Sequence, residues 1–298
     1  MKILITGSTG FVGRHLLPKL FGQHEILELT IEPEVSQKLY DNQTKKITIT
    51  NNQEELKDTI KSFNPDIVIH LASFLTSLDD YDTMKRLFDT NIFFLGRLLD
   101  AIKDLPIKLF INTGTFAEYY KGDNTLQPAY LYAATKTASR SLLDYYSLCY
   151  NFKYTTVVPY TIYGGDDTQK KIVDIVYDSL YSDTPIDLTP GNQILDFIHV
   201  DDVTDFYKLL IDNHEIVPHK QNFQLGTGKG TTLKEIASTL EKKTGKKTNI
   251  NWGGKNYRQT DVLYAIADTT HQHNLFQWKP KIGINDGIEY FLIKKNNE

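Results

Sequence analysis

Thr6-Gly7-Ser8-Thr9-Gly10-Phe11-Val12-Gly13 (residues 6–13) decides how the rest of this chain is read. It follows a short, almost wholly apolar run, Lys2–Thr6, and opens a segment of helical spacing, Phe11–Phe21. The glycines fall at 7, 10 and 13. Each has a separate physical task. Gly7 permits the tight turn out of the strand, Gly10 removes a side chain where a pyrophosphate approaches the backbone, and Gly13 lets the helix sit close on the sheet. The start of the helix then presents free N–H groups and the positive end of its dipole to phosphate oxygens. A strand, this turn and a helix, in that order, indicate a dinucleotide-binding unit.

Working outward, continuously apolar strands alternate with helices. The strands are Lys2–Thr6, Glu25–Leu29, Lys46–Thr50, Asp66–Leu71, Lys108–Asn112 and Tyr154–Val158. Asn52–Phe63, with Asn52 as cap, is a helix between them, and Tyr81–Asp104 and Ala129–Tyr150 are two long ones. Strands of this kind belong to a parallel sheet buried on both faces. After Pro159 the pattern loosens into short strands (Phe223–Leu225, Thr248–Asn251) and helices (Lys170–Tyr181, Asp202–Asp212, Thr232–Thr244). The fold class expected is α/β. A Rossmann doubly wound parallel sheet spans residues 1–160, and a smaller mixed α/β substrate-binding lobe is built mainly from 161–298, with some segments returning to the Rossmann sheet.

Composition narrows the function classes. The 298 residues are 40% hydrophobic and 23% charged, which excludes disordered and low-complexity classes. A net charge of −4 gives no bulk positive field for a nucleic acid partner. The basic residues are mostly lysine. Arginine, the preferred bidentate grip on phosphate, occurs at Arg14, Arg86, Arg97, Arg140 and Arg258. The lone Cys149 reads as a buried, inert thiol. The N-terminus enters a strand at once, and the longest apolar stretches, such as Ile67–Leu75, are too short for a membrane helix. A soluble, cytoplasmic protein without membrane contact is expected, with no metal site.

Three further positions carry chemistry. The end of the second strand reads the adenosine ribose: an acid there bonds the 2′-hydroxyl of NAD, and its absence tolerates the 2′-phosphate of NADP. Thr30 stands there, which leans to NADP(H); Glu32 offers a ribose contact instead, and Arg14 a 2′-phosphate contact from the other side. Tyr132-Ala133-Ala134-Thr135-Lys136 puts a phenol and an ammonium one helical turn apart. A nearby ammonium favours the phenolate, bringing a group that titrates near ~10 towards neutral acid–base work. Thr113 and Thr115 leave the end of strand five, at the sheet edge where open α/β folds bind ligands. A hydroxyl there either bonds a reacting carbonyl or caps the turn.

Together these elements resemble the extended short-chain dehydrogenase/reductase family, in the branch that acts on nucleotide sugars. The resemblance runs nearly end to end. It rests on the turn at Thr6–Gly13, His70–Ser73 after strand four, the helix from Asn91, Val158–Gly165, Asp196–Val203, the stretch from Phe223, and Ala267–Pro280. It implies Tyr132 as general acid/base, Lys136 as its activator and ribose ligand, and Thr115 as the hydroxyl that polarises a carbonyl. It implies cofactor contacts from Gly7, Thr9, Gly10, Phe11, Val12, Gly13, Arg14, Thr30, Leu71, Ala72, Ser73, Tyr132, Lys136, Pro159 and Thr161. It implies a nucleotide-diphosphate sugar as substrate, in a cleft between lobes, near Phe74, Thr76, Thr115, Thr161 and Arg258. His70 and His199 fall in structural positions of these motifs. The two long helices resemble the pair that forms a four-helix homodimer interface in the family.

The departures from the family pattern narrow the reaction. Sugar 4,6-dehydratases carry an Asp-Glu pair directly after the catalytic threonine; here those positions are Phe116 and Ala117. Gly114–Tyr120 (GTFAEYY) is closer to reductases such as CDP-abequose and CDP-paratose synthases, which reduce the C4 ketone of a CDP-linked dideoxy sugar with NADPH. Arginines usual in the family are replaced by Val158 and Leu195, leaving Arg258 as the candidate diphosphate ligand. The reading is an NADPH-dependent 4-ketoreductase of a nucleotide-linked 4-keto-deoxyhexose, for surface polysaccharide. The alternative is a 4-epimerase or C4 oxidase that retains NAD. A cofactor-binding regulator with a degenerate site is disfavoured by the intact Thr115, Tyr132 and Lys136.

Overall fold

The structure is a computed structural model that describes residues 1–49, 52–122, 125–165 and 170–297. In chain order the elements are β1 (Lys2–Thr6), α1 (Phe11–Leu16), β2 (Glu25–Thr30), α2 (Pro33–Tyr40), β3 (Lys45–Thr48), α3 (Gln53–Phe63), β4 (Ile67–His70), α4 (Tyr81–Phe88), α5 (Phe94–Ile102), β5 (Leu109–Thr113), α6 (Leu131–Tyr150) and β6 (Tyr154–Pro159). They continue as β7 (Thr161–Tyr163), α7 (Ile172–Asp178), β8 (Ile186–Leu188), β9 (Ile194–His199), α8 (Val200–Asp212), β10 (Asn222–Leu225), β11 (Gly230–Thr232), α9 (Leu233–Thr244), β12 (Ile250–Trp252), β13 (Tyr264–Ala265), α10 (Thr270–Phe276) and α11 (Ile284–Asn297).

The chain divides into two compact units. The first holds residues 1–118, 130–158 and 204–223. Its sheet runs β3-β2-β1-β4-β5-β6-β10, and β1 to β6 pair in parallel. The order reverses at β1, where Leu4 faces Leu27 on one side and Val68 on the other. That reversal opens a crevice at the carboxyl ends of β1 and β4, the usual ligand position in such sheets. Alternation explains the apolar strands. Leu4, Leu27, Val68 and Phe110 pack with Leu56, Ile60 and Phe63 of α3 and Leu95, Leu98, Leu99 and Ile102 of α5. Ile3, Ile5, Ile67, Ile69 and Ile111 are equally buried on the other face. Burying each such side chain stabilises the unit by about 1.5–3 kcal/mol. α3 begins where expected: the Asn52 side chain accepts the Glu55 N–H at 3.2 Å, and the helix stops at Asn64, in the left-handed region before Pro65.

Some sequence expectations need correction. The long helix expected over Tyr81–Asp104 is interrupted by a π turn, Asp89–Phe93, and ends at Ile102. Cys149 is exposed, not buried. The buried stripe of α6 runs through Tyr132, Lys136, Ser139, Leu143 and Ser147, and residue 149 lies off it. Thr50, the expected last residue of the third strand, lies outside the described residues. Among the described residues no helix is long and apolar enough to cross a membrane.

The second unit holds residues 119–129, 159–203 and 224–298. β9 is its organiser: it pairs antiparallel with β11 and parallel with β13 and β7. β12 pairs separately with β8, and lies one to two residues later than the strand expected at Thr248–Asn251. Tyr163, Val176, Phe197, Leu233, Ile236, Leu240 and Ile288 form the core. Two buried carboxylates explain the Asp196–Val203 motif. Asp196 accepts the backbone N–H groups of Thr227 (2.8 Å), Gly228 (2.8 Å) and Ala267 (3.2 Å). Asp202 accepts those of Lys281 and Ile282, both at 2.9 Å. The motif is thus a clamp on three loops, and its two buried charges are satisfied by backbone donors.

Candidate active site

The glycine turn has the geometry its spacing required. Gly7 has φ +73°, and a Cβ there would lie 2.5 Å from the backbone nitrogen of Ala72. A Cβ on Gly13 would collide with the carbonyl oxygens of Gly7 and Ser8. The close approach at Gly13 is therefore to the turn itself. Gly10, in extended conformation, caps α1 and is exposed. The turn is tied to the end of β4. The Thr6 hydroxyl lies 2.9 Å from Nδ1 of buried His70 and accepts the Ala72 N–H at 3.2 Å. Burial, with a smaller contribution from the Lys136 charge, pushes His70 down to about 3, so the imidazole is neutral.

At the end of β2 the Thr30 hydroxyl is buried and accepts the Glu32 N–H at 2.9 Å. The Glu32 carboxylate instead reaches the glycine turn, accepting the Thr9 hydroxyl at 2.7 Å. Arg14 Nε donates to the Thr9 carbonyl at 2.6 Å. One acid and one cation thus flank Thr9. Beneath them Tyr40 donates to the Ser8 carbonyl at 2.6 Å, and buried Glu28 accepts hydroxyls from Ser36 and Thr44.

After β4, residues Leu71, Ala72 and Ser73 lead to Phe74. Asn91, in the π turn, holds this segment: its Oδ1 accepts the Phe74 N–H at 2.8 Å and the Ser73 hydroxyl at 3.3 Å. Its Nδ2 donates to the Phe74 carbonyl (3.1 Å) and to Thr135 Oγ1 on α6 (3.0 Å). The Arg86 guanidinium lies 3.9 Å above the Phe74 ring. The Thr76 hydroxyl accepts the Leu78 N–H at 3.1 Å.

Tyr132 and Lys136 share the buried face of α6. Burial pushes the Tyr132 hydroxyl well above the ordinary phenol range, against a hydrogen bond with Ser73. Desolvation is the dominant influence on this phenol. Burial pushes Lys136 down to about 8; the Glu118 carboxylate works upward and Arg140 downward. Thr115 is buried, and its hydroxyl accepts the Ala117 N–H at 3.3 Å. Thr113 is engaged elsewhere, 2.6 Å from the Tyr207 hydroxyl. Phe116 and Ala117 offer no acid, and the next residue, Glu118, turns inward to Arg140 Nε at 2.6 Å.

Pro159, Thr161 and Arg258 belong to the second unit. Pro159 ends β6 and Thr161 opens β7. Arg258 is exposed, its N–H bonded to Asp261 at 2.8 Å. Sequence reasoning gave no role to Asn91, Glu118, Arg140 or Tyr207. For Arg140 a signal existed: it stands four residues after Lys136, on the same helix face. Among the described residues no cluster of His, Cys, Asp and Glu is arranged to hold a metal ion.

The chain is 28% identical to a CDP-abequose synthase of Yersinia pseudotuberculosis, over 95% of this chain and 96% of that protein. It is 27% identical to a UDP-glucuronate 4-epimerase of Thermodesulfobacterium geofontis, over 96% and 93%. Its fold is similar to that of a UDP-glucose 4-epimerase from Thermotoga maritima, solved with UDP-glucose, with a TM-score of 0.87 at 23% identity and full coverage of both chains. Residues 3–226 match the model of one family of enzymes, which include the glycine turn, Thr115, Tyr132 and Lys136, and the chain belongs to that NAD dependent epimerase/dehydratase family.

Proposed function

We propose that this protein is a nucleotide-sugar 4-ketoreductase, reducing the C4 ketone of a nucleotide-diphosphate 4-keto-deoxyhexose with NADPH. The observation that carries the reading is the stretch after β5. Thr115 and the Tyr132–Lys136 pair are kept, while Phe116 and Ala117 replace the acid–base pair that water elimination needs and Glu118 is turned into the protein. Similarity to the CDP-abequose synthase supports the same direction. The residues fit a nicotinamide dinucleotide: side chains are barred at Gly7 and Gly13, and Gly10 leaves an exposed backbone approach. When bound, that cofactor supplies the hydride for the ketone carbon. Tyr132 donates its proton to the oxygen that becomes the alkoxide, Thr115 hydrogen-bonds the same oxygen, and Lys136 holds the ribose hydroxyls and favours the phenolate that remains. Gly7 to Arg14 receive the pyrophosphate and adenosine ribose, and Leu71 to Ser73 the adjoining part of the cofactor. Phe74 and Thr76 are assigned to the sugar nucleotide. Purified protein mixed with NADPH and a panel of nucleotide-linked 4-keto-6-deoxyhexoses should consume the nicotinamide absorbance. Failure with every member of the panel overturns the reading.

A second reading, an NAD-retaining 4-epimerase, has its own observation: the Glu32 carboxylate beside Thr9 repels a 2′-phosphate and suits a ribose hydroxyl. It predicts protein that purifies with bound NAD and turns over without added reductant. The exposed apolar residues on α4, the π turn and α6 (Tyr81, Phe88, Phe93, Tyr145 and Leu148) support a homodimer through these helices.

A further inference from the structure

The stretch that removes the dehydratase acids leaves one carboxylate in their neighbourhood, and that carboxylate is wholly buried. The Glu118 carboxylate accepts four hydrogen bonds. Its Oε1 accepts the Thr115 N–H at 2.9 Å and Arg140 Nη2 at 3.1 Å. Its Oε2 accepts Arg140 Nε at 2.6 Å and the Thr137 hydroxyl at 3.3 Å. The Glu118 N–H returns to the Thr115 carbonyl at 3.1 Å, so both polar backbone groups of Thr115 are bonded to this one residue. Thr137 and Arg140 flank the Lys136 face of α6, so the same carboxylate joins the end of β5 to that helix. Room for it exists because residue 114 is glycine: a Cβ there would lie 2.6 Å from Glu118 Oε1.

Resting on the reductase reading above, we propose that Glu118 is a positioning residue of the reaction. Its buried carboxylate, paired with Arg140, sets the Thr115 backbone against the Tyr132–Lys136 face of α6 and supplies the negative charge that Lys136 faces. Apart from Glu118 and Arg140, the titratable groups around Lys136 are neutral. His70 from β4 is neutral through burial, and so is Tyr132 from α6. Tyr130 and Tyr207, which face Tyr132, are phenols. Glu118 and Arg140 remain as the charged groups acting on Lys136, with opposite signs.

The test is a titration that needs no substrate. The 13Cε resonance of Lys136, assigned by its loss in Lys136→Met, should titrate near about 8 in the wild-type chain. Glu118→Gln keeps an acceptor for the Thr115 N–H but removes the charge, and should move the midpoint acidward by about one pH unit. Turnover should fall by about 10- to 100-fold, with KM for the cofactor within about twofold. Because Glu118→Gln leaves half-buried Arg140 beside a neutral partner, the double variant Glu118→Gln/Arg140→Gln provides a neutral pair. Its midpoint should return most of the way to the wild-type value. An unmoved Lys136 midpoint in either the single or, where that does not fold, in an Arg140→Gln variant (expected alkaline shift) overturns the proposal. A moved midpoint in a protein that reduces no 4-keto sugar nucleotide upholds the coupling of Glu118 to Lys136 and overturns the reductase reading instead.

Discussion

Tyr132 carries a proton that burial holds tightly, and Lys136, one turn on, holds its own proton loosely. Two predictions belong to these residues. Tyr132→Phe should lower turnover about 10²- to 10⁴-fold while cofactor binding, followed by nicotinamide fluorescence, stays near wild type. Burial pushes Lys136 down to about 8 in the folded chain, against a reference value of 10.5. Between those values the unfolded chain keeps the proton that the folded chain has released. Stability against urea should therefore rise with pH across that window, and Lys136→Met should flatten the rise. The pair was legible in the sequence because both partners lie on one helix, four residues apart. The settings of Thr113 and Thr115 were not. Thr113 meets Tyr207, 94 residues away, and no local pattern announces such a contact.

Among the elements, the π turn between α4 and α5 is the informative one. A continuous helix would rotate Asn91 away from where it lies; the extra residue per turn lets one side chain bond the Phe74 backbone twice and Thr135 once. Asn91→Ala leaves those buried groups unsatisfied and should cost about 1–3 kcal/mol in urea unfolding. Hydrophobic periodicity foretold one long helix because α4 and α5 each carry apolar residues at helical spacing and follow the π turn without a break in helical backbone. The Asn52 cap and the three glycines were legible, since each acts through its own backbone neighbours. The face of Cys149 was misread, because a lone cysteine says nothing about helix phase and only the run from Tyr132 to Ser147 sets it.

For the whole molecule, the parallel sheet could be read from six apolar runs, each long enough to show its character. The second unit could not be read so well. Its strands span two to six residues, and β7, β8, β11 and β13 are too short to carry a period. What holds it is the pair of clamping carboxylates, whose backbone partners lie between 31 and 80 residues away. The assembly proposed for the first unit is testable at this scale. Phe93→Lys with Leu148→Lys places charge on the exposed apolar helices and should turn a dimer into a monomer in light scattering, leaving the thermal melt of the first unit in place.

The Glu118–Arg140 pair also constrains descent. Gly114 admits no side chain while Glu118 occupies that space, and either charge left alone in the interior is costly. Substitutions at 114, 118 and 140 are therefore locked into one evolutionary step or a very short series. Related sequences should divide into two groups, one with glycine, glutamate and arginine at these positions and one in which the acid and the base were lost together. Lineages carrying a single member of the pair should be scarce. An alignment in which positions 118 and 140 vary independently would remove this constraint.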